Sequence, residues 1–346
     1  MARTGYSFNP VRLFADGYDW MGRSGRLSFL SILALWATAA GLALWGGHNS
    51  RAAEISGWFL VAVLTVPYFG HVLRRLNDLG QTGWLWLLSL VPYLNIAFVL
   101  ALLLLPGGRR NRHEPTGFRV LGFAASFVVA VLIASRALWA PYTIPAGSMK
   151  PTLLVGDYVI VSLLRRPPER GAVYVFAHPV NGQDYVARLI GLPGDRVQMV
   201  DGVVVLNGTP LNQTDAGLFT EVMEPQGPAR VLPRCYNGAV GPGAICEKRL
   251  WIETLPDGRQ HGVLNIGQTH VDNSGEYTVP AGHVFFLGDN RDNATDSRIA
   301  PSAGGYGFVP ETLIRGRAAR VLVSTAGQGY LEFWNWRPDR FLKGIR

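Results

Sequence analysis

The sequence predicts a membrane-anchored protein: an N-terminal helical transmembrane region followed by a mainly-β domain. Three observations predict this. Long apolar runs crowd the chain before about residue 140, and mixed sequence follows them. Beyond that point the pattern changes to short Val-, Ile- and Tyr-rich runs bounded by Gly, Pro or Asp, the signature of strands. Of 346 residues, 48% are hydrophobic, only 16% are charged and ten are Trp, a low charge share for a soluble chain.

Residues 1–19 read as an N-terminal tail, 20–115 as a multi-span helical membrane domain and 117–140 as a transmembrane anchor helix. Four apolar stretches, at 27–46, 56–73, 83–105 and 118–140, each approach the ~20 residues that a spanning helix needs. The first lacks a small-residue cleavage site and further spans follow it, so it does not read as a cleavable signal peptide. The third, WLWLLSLVPYLNIAFVLALLLLPGG, carries Pro92 and Asn95 near its middle and reads as a re-entrant hairpin. With a cytoplasmic N-terminus and four straight spans, the loop GGRRNRHEP would lie outside, against the positive-inside tendency. The re-entrant reading keeps Arg23, Arg26, Arg74, Arg75, Arg109, Arg110 and Arg112 inside and exports the C-terminal domain. Much of the net charge of +8 sits in these flanks. It therefore does not call for a nucleic-acid partner.

Residues 141–325 read as a β-rich domain. GDYVIVSLL, GAVYVFAHP and DYVARLIGL are its first strand-like runs. VQMVDGVVVLNGTPL holds an Asp-Gly and an Asn-Gly, both tight-turn signals, and WIETLPDGRQHGVLNI folds back at Asp257 and Gly258. These hairpins mark a subdomain at about 200–275. Cys235 and Cys246 flank the Gly-rich CYNGAVGPGAIC. In an oxidising compartment the pair suits a hairpin-closing disulfide, and two free thiols are the alternative. No CxxC or HExxH occurs, so neither a metal nor a cofactor is expected. The tail 326–346 mixes Trp334, Trp336 and Phe341 with Arg337, Arg340, Lys343 and Arg346. It reads as a solvated basic end or as a membrane-interface segment.

A serine in a loop is usually only a turn residue. Ser148, in APYTIPAGSMKPTLLVGDYVIV, has more specific company: Pro145, Gly147, Met149, Pro151, Thr152 and Leu153. Together they resemble the nucleophile box of bacterial type I signal peptidases. Three more boxes follow in that family's order: RGAVYVF, YVARLIGLPGD and GDNRDNATDSR. The resemblance spans roughly residues 118–325. It implies a β-rich periplasmic domain held at the bacterial inner membrane, a hydrolase that removes signal peptides from exported preproteins after Ala-x-Ala-type small residues. The implied partners are those signal peptides and membrane lipids, with translocation machinery as a further candidate.

The resemblance also implies a serine nucleophile with a lysine general base. A serine hydroxyl needs a base to take its proton, and a lysine serves only where burial favours its neutral amine. The lysine position of the Y-x-K-R strand is here Ala187, which accepts no proton, and the neighbouring Arg188 does not deprotonate in proteins. Ala146 stands where many members carry an oxyanion-binding serine, leaving the Ser148 backbone N–H as oxyanion donor. Ala294 stands where many carry a serine that hydrogen-bonds the lysine. Asp296 and Arg298 match a supporting ion pair, and Asp289 and Arg291 belong to the same box. His178 and His283 are the imidazoles weighed as substitute bases. Tyr142, Ile144, Pro145 and Met149 on one side, with Tyr185 and Val186 on the other, are expected to line the substrate's small-residue pockets. As written the chain is expected to be inactive or severely impaired. The intact remainder of the site reads as a deliberate replacement that traps substrate, and a natural pseudoprotease is the alternative. Finally, GRSGRLSFL, RRLNDLGQTGWLWLL and PGGRRNRHEP resemble an uncharacterised bacterial family of small multi-span membrane domains, which names no activity.

Overall fold

Asn9 caps the first helix, α1 (Pro10–Asp16), by accepting a hydrogen bond from the Arg12 N–H, with Pro10 pre-set for the first turn. The computed structural model describes residues 9–20, 22–49, 51–90, 94–107, 116–136, 138–164, 166–327 and 332–345. The chain divides into two units, Met1–Leu138 and Trp139–Arg346.

In the first unit α2 (Arg26–Asn49) packs along α3 (Arg51–Asp78), burying Phe29, Ile32, Ala39 and Ala43 with Val61, Val72 and Leu76. Within them, Arg26–Gly46 and Ala53–Asp78 are, among the described residues, the two helices long and apolar enough to cross a membrane. The third apolar stretch is not one helix. It forms a 3-10 helix at Gly83–Leu90 and α4 at Leu94–Leu104. At about 1.5 Å per residue, the 11 residues of α4 reach only about half of a ~30 Å hydrocarbon core. α5 (Thr116–Ser135) completes the unit. Pro92 and the arginines 109, 110 and 112 lie outside the described residues.

Arg74 and Arg75, counted above as free flanking charge, are buried and engaged. Arg74 donates to the Asp19 backbone and carboxylate at 2.8 and 2.7 Å. Arg75 pairs with Asp78 and donates to the Leu102 and Leu105 carbonyls at 2.7 and 2.5 Å. Those carbonyls end α4, where a helix leaves acceptors unsatisfied. The RRLND segment is thus a structural knot between the loop before α2 and the end of α4.

The second unit is built of β1 (Trp139–Thr143), β2 (Asp157–Ser162), β3 (Val173–Ala177), β4 (Asp184–Gly191), β5 (Arg196–Val200), β6 (Val203–Leu206) and β7 (Thr209–Pro210). There follow β8 (Asn212–Val222), β9 (Ile245–Thr254), β10 (Gln260–Asn265), β11 (Tyr277–Thr278), β12 (His283–Leu287), β13 (Val309–Pro310) and β14 (Ile314–Ser324). Seven strands form the main sheet in the order β1-β2-β14-β3-β4-β12-β13; β11-β5-β6-β7 and β10-β9-β8 form two smaller sheets. Asp201 and Gly202 turn β5 into β6, and Asn207 and Gly208 turn β6 into β7. All four have positive φ (47°, 79°, 53° and 82°), the twist that matches a two-residue hairpin. The main core gathers Ile144, Met149, Leu153, Val159, Phe176, Ala187, Phe286 and Val309.

The C-terminal tail folds back onto the β unit through two buried residues, while much of the rest of it stays exposed. Ile345 is buried in the main core, and Arg340 donates to both Asp157 carboxylate oxygens at 3.1 and 2.5 Å. Arg337 reaches the Val155 and Thr325 carbonyls, both at 2.6 Å. The sequence reading missed this because a basic run offers no sign of a buried carboxylate 180 residues away in the chain. Phe333 and Trp334 stay exposed, as do Leu342 and Lys343. Asp157→Ala should destabilise this unit by about 3–5 kcal/mol, since it strands the buried Arg340 charge. Denaturant titration checks it; a loss below about 1 kcal/mol would mean that apolar packing alone holds the tail.

Candidate active site

Ser148 sits in a single 3-10 turn, Gly147–Met149, which packs against β4 and against a second turn at Arg291–Asn293. Two hydrogen bonds fix its backbone. The Asn290 N–H donates to the Ser148 carbonyl, and Asn290 Nδ2 donates to the Gly147 carbonyl, both at 2.9 Å. Gly288 makes this approach feasible. A Cβ there would stand 2.8 Å from the Ser148 carbonyl oxygen and 2.4 Å from the Ala294 Cβ. The structure therefore brings Ser148, Gly288, Asn290 and Ala294 together.

Ala187 lies in β4 opposite Tyr174 of β3, with no exposed surface, in the same core as Ile144 and Met149. The other edge of β4 pairs with β12 only from Arg188 onward. Among the described residues, no strand covers that edge over residues 184–187. β1, which leads to Ser148, is likewise an edge strand, paired to β2 alone. Open edges of this kind are what an extended peptide needs to add itself as a strand.

The candidate pocket residues separate into two groups. Tyr142, Tyr185 and Val186 are half-buried and Pro145 is exposed, so all four reach the surface. Ile144 (2% exposed) and Met149 (0%) do not line an open wall; their apolar side chains are enclosed in the core beneath it. Tyr185 is set by ring contacts to His178 and Tyr306, at 5.1 and 5.3 Å between centroids.

The histidines are not placed as bases. His178 Nδ1 accepts from the Val180 N–H at 3.1 Å, and Nε2 faces the Gly305 carbonyl at 2.9 Å, so both nitrogens are occupied. His283 bonds the Ala281 carbonyl at the far end of β12. Among the described residues, nothing hydrogen-bonds the Ser148 hydroxyl.

Buried ion pairs frame this region. Arg188 grips Asp289 with two bonds of 2.7 Å, and Thr152 Oγ1 adds a third to the same carboxylate at 2.5 Å. Arg298 binds Asp296 through Nε and Nη2, both at 2.8 Å, and Asp296 also accepts from the Gly288 N–H at 3.1 Å. Arg291 turns the other way, onto Glu253 of β9 at 3.0 and 2.6 Å. Burial alone would raise the Asp289 and Glu253 carboxyls; Arg188 and Arg291 override it and hold both below the usual range.

One cluster went unread in the sequence. Lys150, two residues after Ser148, is buried and bonds Glu221 and, at 2.6 Å, Gln226 Oε1; Lys248 shares Glu221. Burial pushes the Lys150 ammonium below the usual lysine value against the pull of Glu221. Glu221 stands opposite Cys246 in the β8–β9 register, and Cys246 is disulfide-bonded to Cys235 with 5.1 Å between Cα atoms. The disulfide-closed arm thus docks on the nucleophile turn through Lys150. Its loop also touches Pro145, where a Cβ on Gly227 would come within 2.4 Å of the carbonyl oxygen. A lysine between Met149 and Pro151 was the only sequence signal, and it is silent without the β8–β9 register.

Comparison with known proteins identifies the family of the β unit. The family model described as "Signal peptidase, peptidase S26" matches residues 118–323. The chain belongs to the signal peptidase S26 family. Signal peptidase I of Rickettsia typhi is 32% identical over 232 residues, covering 58% of this chain and 78% of that protein. Signal peptidase I of Rickettsia prowazekii is 30% identical with the same coverage. A crystal structure of a signal peptidase I from Enterococcus faecalis V583 is 25% identical, covering 44% of this chain and 98% of that one, with a TM-score of 0.23. Residues 18–115 match a family described only as a protein of unknown function (DUF805). The chain is therefore a mainly-β signal-peptidase-type domain that follows a region with two candidate apolar spans, consistent with membrane anchoring.

The carboxylates around the site give it an acid limit. Glu221, Glu253 and Asp289 all have folded pKa values depressed below their unfolded ones. The stability they contribute is complete above the unfolded values of ~3.9–4.3 and is lost as pH falls through the folded ones. Stability should thus be insensitive to these groups between about pH 5 and 7 and should fall below about pH 4. Glu221→Gln should lower neutral-pH stability by about 3 kcal/mol and soften that acid fall. Denaturant titrations across pH check both, and a wild-type profile flat to about pH 2 would contradict them.

Proposed function

We propose that residues 139–346 form a signal peptidase I domain that accepts the extended segment before the cleavage site of exported preproteins, and that this chain barely cuts it. The observation that carries this is the open edge of β4 beside the Ser148 turn, with Ala187 at its end. A substrate strand laid on that edge would run past Tyr185 and Val186 and face Tyr142 and Pro145 across the groove. Bulky walls of this kind favour alanine-sized side chains at the cut. Ser148 is the nucleophile of this reading, its N–H the oxyanion donor, and the Asp296–Arg298 pair a support for the Gly288 loop.

The chemistry stops at the proton. Alanine cannot take it, Arg188 is committed to Asp289, and His178 is bonded on both nitrogens. A lysine at 187 would enter a fully buried, apolar position, where desolvation favours the neutral amine that a general base must be. The domain acts on the periplasmic face of the inner membrane in this reading, with the N-terminal unit as its multi-pass anchor.

A second reading is a natural binder that retains signal peptides without cleaving them. Ala294, packed against Gly288, supports it: the residue that would hold the lysine has no hydroxyl either. The two readings separate on one comparison, cleavage of a purified preprotein in lipid by this chain and by Ala187→Lys. Restoration of the base should raise the rate by on the order of 10⁴-fold or more. If neither protein cuts while both bind signal peptide, the binder reading stands and the enzyme reading falls. In the lysine-restored protein, a preprotein with Phe or Trp directly before the cut should remain whole on a gel; its ready cleavage would sink the pocket assignment.

A further inference from the structure

The accessory sheets enclose a groove that the peptidase reading leaves unused. One wall is a single face of the β10-β9-β8 sheet. In its register Trp251 stands opposite Val263 and Asp215, and Arg249 opposite Asn265. The other wall is the β5–β6 turn with Asp201 and Gly202, continued by Pro210 and Asn212. The main chamber measures about 640 Å³ and opens into a second of about 460 Å³ that shares Asp201, Arg249 and Asn265. That is the size range of small-molecule sites. The groove lies wholly within the β unit.

Its lining has a consistent chemistry. The Trp251 indole N–H and the Asn265 and Asn212 amides make no hydrogen bond among the described residues, nor does Nε of the buried Arg291 on the same wall. Arg249 is held in place, its guanidinium 4.4 Å from the Tyr236 ring next to the disulfide, and Asp201 offsets its charge. The groove thus offers an aromatic surface ringed by unengaged amides, with the Asp201 carboxylate and an Arg249 guanidinium that also bonds the Tyr236 hydroxyl, so donors and acceptors are mixed and net charge is small. A sugar ring is the complementary solute, with apolar C–H faces for the indole and a rim of hydroxyls that both donate and accept. A phosphate would find Arg249, already bonded to the Tyr236 hydroxyl, beside the Asp201 carboxylate. A peptide would meet mainly a sheet face, where side chains and not its backbone would have to make the contacts.

We propose that this groove binds a short, uncharged oligosaccharide, with Trp251 as the stacking platform and Asn265, Asn212, Asp201 and Arg249 as its polar rim. The proposal does not depend on cleavage chemistry.

The test is calorimetric titration of the full-length protein, in a polyoxyethylene detergent free of sugar head groups, with chitotriose, maltotriose, inorganic phosphate and a short polar peptide. One trisaccharide should bind saturably. Trp251→Ala should weaken it about tenfold or more, and Asn265→Ala should weaken it measurably. Trp334→Ala, which removes an indole exposed elsewhere, should change nothing. Should Trp251→Ala fail to fold, Trp251→Phe and Asn265→Ala carry the test. Binding of neither trisaccharide, binding indifferent to these groove variants, or a site that takes phosphate or the peptide in their place would each overturn the proposal.

Discussion

The grip of Arg188 on Asp289 is the interaction on which the peptidase-type site depends. Arg188 follows position 187, and Asp289 precedes Asn290, whose two bonds hold the Ser148 turn. One ion pair therefore sets where β4 lies relative to the Ser148 turn. Arg188 also donates to the Gly171 carbonyl at 2.6 Å, and the Asp289 carbonyl accepts from the Leu264 N–H at 2.8 Å. These bonds recruit the approach to β3 and the strand β10. Both charges are about 1% exposed, so each is tolerable only in the presence of the other. The same logic recurs outward in Arg291 with Glu253, Arg298 with Asp296 and Arg340 with Asp157. The pairs of Arg291 with Glu253 and Arg340 with Asp157 join segments that the apolar core alone would leave free to slide, since dispersion and hydrophobic contacts carry no direction, whereas Arg298 and Asp296 stiffen a single loop.

Lys150 extends this frame to the arm. A buried ammonium with a carboxylate and an amide oxygen as partners fixes where the arm sits, as a greasy contact could not. The cost is desolvation, visible in the depressed lysine pKa. The benefit is orientation of the turn that carries Ser148. The N-terminal unit uses the same device, where Arg75 satisfies the carbonyls that end α4 and pairs with Asp78.

What the sequence made legible was chemistry that leaves local marks. The Asp-Gly and Asn-Gly turns, the alternating strand runs and the four boxes around Ser148 each announce themselves within about a dozen residues. What stayed hidden depends on register or on distance in the chain. Glu221 meets Lys150 only because β8 pairs with β9 at a particular offset, and Arg340 finds Asp157 only once the tail has folded back. Arg74 and Arg75 read as flanking charge, and their engagement with Asp19, Asp78 and the end of α4 is a structural role that a sequence does not show. Ile144 and Met149 looked like pocket wall because proximity to Ser148 in the chain says nothing about which way a side chain is buried.

Ala187 is legible in sequence and inert in structure, and the reason is physical. None of the ion pairs, turns or core contacts that define this domain uses the side chain at 187 beyond its methyl group. A lysine there would have to be kept neutral in an apolar core, which costs stability; alanine removes that cost and fills a buried strand position without a polar atom to satisfy. The fold therefore has no means of registering the loss. Every motif that assigns the chain to its family supports the frame around the base, and the frame is held by Arg188, Asp289 and Asn290 whether or not a base is present. In the proposed reading, family membership and catalytic competence are thus separate properties, resting on adjacent residues of one strand.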